Sequence, residues 1–222
     1  MSGILFLIVS ACKKEEQPAI NEVPNRTISG TNLVYVYDSV KDIDGNVYRT
    51  VQIGNQTWMA ENLKTTRYND GSQIHTSNGG PAGYTNWFDL STGAYCWYEN
   101  DTAYKDIYGA LYNWHAVGNG NLCPTGWHVP TDSEWTTLIN FLGGENVAAI
   151  NLTNPSGFAA IPVGELNGWG FVENSLIWWS VTPYDLKNLG VPYAYLRSLW
   201  VDKVIRAWEP ASYGYSVRCL KD

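Results

Sequence analysis

Charge is the first thing this chain is short of. Asp, Glu, Lys and Arg make up 16% of its 222 residues, and the acidic members outnumber the basic ones to leave a formal net charge of -7. Binding along a phosphate backbone needs clustered Lys and Arg to displace counterions, and no basic stripe occurs anywhere, so nucleic acid is not expected as a partner. Histidine is equally scarce. His75, His115 and His128 fall in no H-E-x-x-H pattern, and the 4 cysteines in no C-x-x-C pattern, so spacing points to no zinc site and no cofactor is expected. Long apolar runs are missing too: "ILFLIV", Ile4 to Val9, is far short of the roughly 20 residues a membrane-spanning helix needs. No linker divides the interior and no repeat recurs at a fixed period, which leaves one domain behind an N-terminal segment.

What the chain has in quantity is 11 Trp, 15 Tyr and 21 Gly. That mix predicts a loop-rich fold in which aromatic rings do much of the packing. At the N-terminus, Ser10 and Ala11 precede Cys12 in "VSAC", a stretch that resembles the lipobox of bacterial lipoproteins. The resemblance implies cleavage before Cys12 and acylation of its thiol, each buried methylene of the lipid contributing about 0.8 kcal/mol of membrane affinity. Residues 1–11 are accordingly read as a signal peptide, truncated because the usual positive start is missing. Residues 12–32, "CKKEEQPAINEVPNRTISGTN", lack apolar periodicity and read as a solvated tether. "KKEE" resembles the acidic signal behind the lipid cysteine of surface-exported lipoproteins, which implies outward display at the outer membrane; a generic charged tether accounts for the same letters.

From residue 33 to 222 the texture is that of one folded domain. Asp44-Gly45 and Gly54-Asn55 sit between β-branched and aromatic runs and predict consecutive hairpins. "DIDGN" suggests a calcium loop, but with Gly45 at the sixth position Val40 and Val51 occupy the first and last ligand places, so a hairpin turn is the better reading. In "YGALYNWHAVGN", Leu111, Trp114 and Val117 have near-helical spacing with Gly118 as a stop, and His115 beside them is expected to be structural. Thr131 and Glu134 form a capping-box pattern, after which Trp135, Leu138, Ile139 and Leu142 recur at i, i+3, i+4 and i+7 before Gly143-Gly144. Cys123 and His128 thus lie in the lead-in to a structural helix, where nothing in the sequence supplies the low-pKa environment a nucleophile needs. Beyond Gly144 short strands and Gly-rich loops are expected. Trp178 and Trp179, adjacent in a strand, face opposite sides, with at least one in the core.

Five ordered motifs, "TVQIGNQTWMAENLKTTRYNDGSQI", "YGALYNWHAV", "LCPTGWHVPTDSEWTTLINFLGG", "WWS" and "YGYSVRCLKD", resemble the Fibrobacter succinogenes major paralogous domain family, common in bacterial lipoproteins. More remotely, "PTDSEW" and "SVRC" are similar to segments of the formylglycine-generating enzyme group, which implies an α+β, C-type-lectin-like fold with short antiparallel strands, two short helices and long Gly- and aromatic-rich loops. The catalytic cysteine pair of that group has no counterpart near Cys219, and "WEPAS" keeps only Glu209-Pro210 of the calcium-lectin loop. With Cys12 lipidated, Cys96, Cys123 and Cys219 remain for an oxidising envelope. The lectin-like resemblance implies Cys123 with Cys219, leaving Cys96 as a buried thiol; Cys96 with Cys123 is the rival pairing. The function expected is a non-enzymatic binding or adhesion module for a glycan or protein ligand, held to the membrane through Cys12. Exposed aromatics would serve as stacking platforms, with Trp178, Trp179, Trp200 and Trp208 as candidates. The alternatives are an oxidase related to the formylglycine-generating group and a purely structural envelope protein.

Overall fold

Turn chemistry organises the first sheet. In the computed structural model, which describes residues 37–76, 87–185 and 190–222, β1 (Tyr37–Lys41) and β2 (Val47–Ile53) pair antiparallel around Asp44-Gly45, and β3 (Gln56–Met59) folds back on β2 at Gly54-Asn55. Gly45 and Gly54 both take the positive φ such tight reversals require. The carboxylates of "DIDGN" are engaged by the protein itself. Asp42 accepts from the Asn46 backbone and side chain and from the Tyr48 hydroxyl, while Asp44 accepts from Thr65, Thr66 and Arg67. The signal segment, Cys12 and the tether lie outside the described residues.

Further along come β4 (His75–Thr76), β5 (Ala94–Cys96), α1 (Lys105–Tyr108), β6 (Leu111–Tyr112), α2 (Trp114–Val117), β7 (Trp127–His128), α3 (Asp132–Phe141) and α4 (Glu145–Leu152). The chain then forms β8 (Glu165–Asn167), β9 (Gly170–Val172), β10 (Leu176–Tyr184), β11 (Tyr193–Trp200), β12 (Lys203–Pro210) and β13 (Leu220–Lys221). The result is mixed α+β: a 5-stranded sheet in the order β1-β2-β3-β13-β7, 3-stranded sheets β10-β11-β12 and β4-β5-β6, and the β8-β9 hairpin. Pairing is antiparallel throughout except between β4 and β5.

α3 forms where the capping box predicts it. The Thr131 hydroxyl accepts from the Glu134 backbone N–H, the Glu134 carboxylate accepts from the Thr131 N–H, and Trp135, Leu138, Ile139 and Leu142 are all buried. Two expectations are corrected. Leu111 belongs to β6 and not to a helix; the Asn113 side chain accepts from the Ala116 N–H and starts α2 only at Trp114. The stretch after Gly144 begins with a helix, α4, so the described residues hold more helix than the two short ones expected. α4 buries Ala148, Ala149 and Leu152 but exposes Val147 and Ile150, so its sequence shows no clean apolar stripe, and packing against β12 is what holds it.

A disulfide joins Cys123 to Cys219 with Cα atoms 6.0 Å apart, tying the lead-in of α3 to the end of the chain. Cys96 is a buried free thiol, and burial pushes its pKa far up, so the thiolate does not form at neutral pH. Both Trp178 and Trp179 are core, which removes them from the candidate ligand set. The reason is that the β10-β11-β12 sheet is covered on both faces: Trp179 joins Ala194 and Leu196 in the main cluster, while Trp178 points the other way, against Trp135 and Phe158. Their indole N–H groups are satisfied inside, by the Tyr112 carbonyl at 2.8 Å and Asn62 Oδ1 at 3.0 Å.

Candidate functional site

Two surface features remain once the core aromatics are set aside. The first grows out of the register of the outer sheet. Tyr195 on β11 is directly opposite Trp208 on β12, and Arg197 is opposite Arg206, so all four side chains share the sheet face on which α3 sits. Tyr184, at the end of β10, reaches over the middle strand: its ring stacks on Trp208 at 4.5 Å between centroids and meets Tyr195 edge-on at 5.0 Å. Arg206 lies over the Tyr195 ring at 4.0 Å from its centroid. These contacts form a continuous row, Arg206–Tyr195–Tyr184–Trp208, beside the N-terminus of α3.

Asp132, the first residue of α3, holds that row in place. Its carboxylate takes the Arg206 Nε at 3.0 Å and the buried Arg197 at 2.5 Å. Burial alone would raise the Asp132 pKa, but the hydrogen bonds from Arg206 and Arg197 outweigh it and keep the carboxyl below its ordinary value. Trp208 keeps 44% of its surface exposed, so the outer face of the stack is open. Trp200 is more exposed still, at the tip of the β11–β12 hairpin beside the positive-φ Val201.

Sequence reasoning missed Trp169, which the β8–β9 turn presents to solvent with 90% of its surface exposed. The signal was available in "NGWG", where glycines on both sides make a turn whose ring has nothing to pack on. It also missed Tyr184 and Tyr195, because only the strand register brings them to Trp208.

The second feature is a polar cleft of about 550 Å³. Tyr68, His75, Ser91, Thr92, Trp114 and His115 are among the residues that line it. Burial lowers the His115 pKa, which keeps that imidazole neutral at neutral pH.

Cys123 and His128 are not a nucleophile and base. The Cys123 sulfur is committed to the disulfide, and His128 bridges Asp222 at 2.6 Å and Glu134 at 3.0 Å, tying the chain end to the capping box of α3. A family model, the Fibrobacter succinogenes major domain, matches residues 51–221. The chain belongs to that family. As a Fibrobacter succinogenes major domain, it places the match from β2 to β13, so the disulfide, the aromatic row and the cleft all lie within the family's span. No curated protein and no solved structure matches the chain significantly.

Proposed function

We propose that this Fibrobacter succinogenes major domain is a non-enzymatic binding module of a cell-envelope lipoprotein, anchored through Cys12 and displayed outward from the outer membrane. The observation that carries the reading is the open aromatic row. Trp208 and Tyr184 offer a flat, stacked surface held rigid by Arg206 and Asp132, and rigid amphipathic rings give contact area at low entropic cost to a glycan or a protein. The oxidase alternative needs a reactive cysteine pair. With Cys219 bonded to Cys123 and Cys96 buried, this chain favours binding over that chemistry. The C-type-lectin-like reading draws support from the disulfide next to β13, the strand at the centre of the largest sheet's second half.

The test is a glycan array and a panel of envelope proteins probed with the full chain in mild detergent, alongside Trp208→Ala. The expected result is a ligand whose binding falls at least about tenfold in the variant, the loss typical of an aromatic hot spot. Ligand binding indifferent to Trp208→Ala would overturn the row as the site, and no ligand at all would favour a structural envelope role. The anchor is tested separately: Cys12→Ser should release the protein from the membrane fraction or leave it uncleaved.

A further inference from the structure

We propose that the polar cleft between β4, β5 and α2 is a second binding site, independent of the aromatic row, and that it takes one or two units of an uncharged sugar.

The cleft is built before any ligand arrives. Its first wall is the turn from Thr66 to Ile74, closed by the Tyr68 N–H on the Ser72 carbonyl at 2.9 Å and the Ile74 N–H on the Thr66 carbonyl at 3.0 Å. The Asn69 N–H on the Asn121 carbonyl, at 2.8 Å, ties this turn to the segment after α2. The other two walls are clamped by Asn113, which is fully buried. Its Nδ2 donates to the Thr92 carbonyl at 2.9 Å, and its Oδ1 accepts from the Ala94 N–H at 2.9 Å and the Ala116 N–H at 3.1 Å. One side chain therefore fixes the approach to β5 and the start of α2 together, so little ordering cost is left for binding.

Two glycines set its shape. A Cβ on Gly93 would lie 1.9 Å from the Tyr68 hydroxyl oxygen and 2.8 Å from the Ala116 Cα, and a Cβ on Gly118 would lie 3.1 Å from the Trp114 ring. Both positions are kept bare where an aromatic side chain comes against the backbone.

The lining decides the class of ligand. Among the described residues that form the cleft there is no Asp, Glu, Lys or Arg. The polar groups are amides, imidazoles and hydroxyls, from Gln73, His75, Ser91, Thr92, His115 and Asn119. Such groups both donate and accept, as a sugar hydroxyl does, and among the described residues no hydrogen-bond partner engages the side chains of Gln73, His75 or Ser91. A charged ligand would lose hydration here with no opposite charge to replace it. Trp114, only partly buried, adds ring surface for the apolar face of a pyranose. The volume of about 550 Å³ suits a ligand of that size, within the roughly 300–1,000 Å³ of small-molecule sites.

The experiment is calorimetric and saturation-transfer NMR titration of the full chain in mild detergent with glucose, galactose, mannose and N-acetylglucosamine. Glucuronate and glucosamine serve as charged counterparts. The variants are Ser91→Trp, which fills the rim from an exposed position, His75→Ala, also exposed, and Trp208→Ala in the row. At least one neutral sugar should bind, its charged counterparts at least about tenfold more weakly. Ser91→Trp should abolish that binding and His75→Ala should weaken it by about tenfold, and both losses should appear equally in the Trp208→Ala background, where the row is disabled. Failure of all four neutral sugars, equal binding of the charged ones, or binding indifferent to both cleft variants overturns the proposal. Should Ser91→Trp not fold, His75→Ala carries the decision. Because Trp208→Ala is read in the same titrations, loss of the cleft site and loss of the row are told apart.

Discussion

Among the described residues two arginines rest on aromatic rings, one inside and one outside, and they do different work. Arg218 is buried with its guanidinium 4.1 Å from Phe158 and 5.7 Å from Trp178. Arg206 sits at the surface, 4.0 Å from Tyr195. The inner cation has no ion pair among the described residues; it donates to Asn62 Oδ1 at 2.9 Å and to the carbonyls of Phe158 and Ala159. Burial lowers its pKa to about 9, still above neutrality, so the charge persists and serves as a hub that gathers loop carbonyls. The outer cation gives up one side to Asp132 and uses the other to hold a ring whose neighbours stay open to solvent. The same pair of side-chain types thus cements a core in one place and braces a surface in the other. What separates them is whether anything packs on the far side of the rings. The inner cluster is covered so completely that, among the described residues, the Trp58 indole N–H is left with no partner.

The inner region is tied twice, because Cys219 follows Arg218 directly. Replacing both Cys123 and Cys219 by Ser removes a bridge across 96 residues of sequence, for which chain entropy predicts a loss of about 4.7 kcal/mol in denaturant melts. Arg218→Met comes next. It strands the buried Phe158 carbonyl, at roughly 1–3 kcal/mol, together with the part-buried Ala159 carbonyl, whereas Arg206→Met, on a half-exposed side chain, should cost about 1 kcal/mol or less. Equal losses from the two substitutions would break the distinction between hub and brace.

Smaller effects sharpen it. Thr131→Ala should cost about 1 kcal/mol by opening the capping box of α3, the helix whose first residue holds the outer arginine. The pH dependence follows from the same helix end. Burial would raise the Asp132 and Glu134 carboxyls, but Arg206 and Arg197 in one case, and Thr131 and His128 in the other, hold both below their ordinary values. A carboxyl depressed in the folded state contributes stability above its unfolded pKa and loses it as pH falls through the folded one. Acid melts should therefore lose stability below about pH 4, and Asp132→Asn should flatten that limb. Last, Trp208→Ala should cost about 1 kcal/mol, the worth of a half-exposed ring's stacking on Tyr184, while removing the row's ligand. A loss comparable to that from a core tryptophan would place the row inside the core's energetics and end its standing as a free surface.

How much of this was legible beforehand depended on how far apart in sequence the interacting groups lie. The first two hairpins and α3 were written locally: Asp44-Gly45, Gly54-Asn55 and the Thr131–Glu134 box act within a few residues, where backbone chemistry is decided before tertiary packing. Membership of the family was legible too, since five motifs carry it in order. Only the tertiary structure decided the rest. Trp178 and Trp179 look in sequence like the exposed tryptophans, and became core because one face of their sheet meets α3 and the other the main cluster. α4 lacks the periodic stripe that would announce it and forms because β12 receives its small residues. The row needs β10, β11 and β12 in register, and the cleft needs the approach to β5 and the start of α2 joined by one buried asparagine and the Tyr68 turn tied in through Asn69 and Asn121. Both sites are made of long-range neighbours, and long-range neighbours are set by burial and strand pairing, which no short stretch of sequence contains.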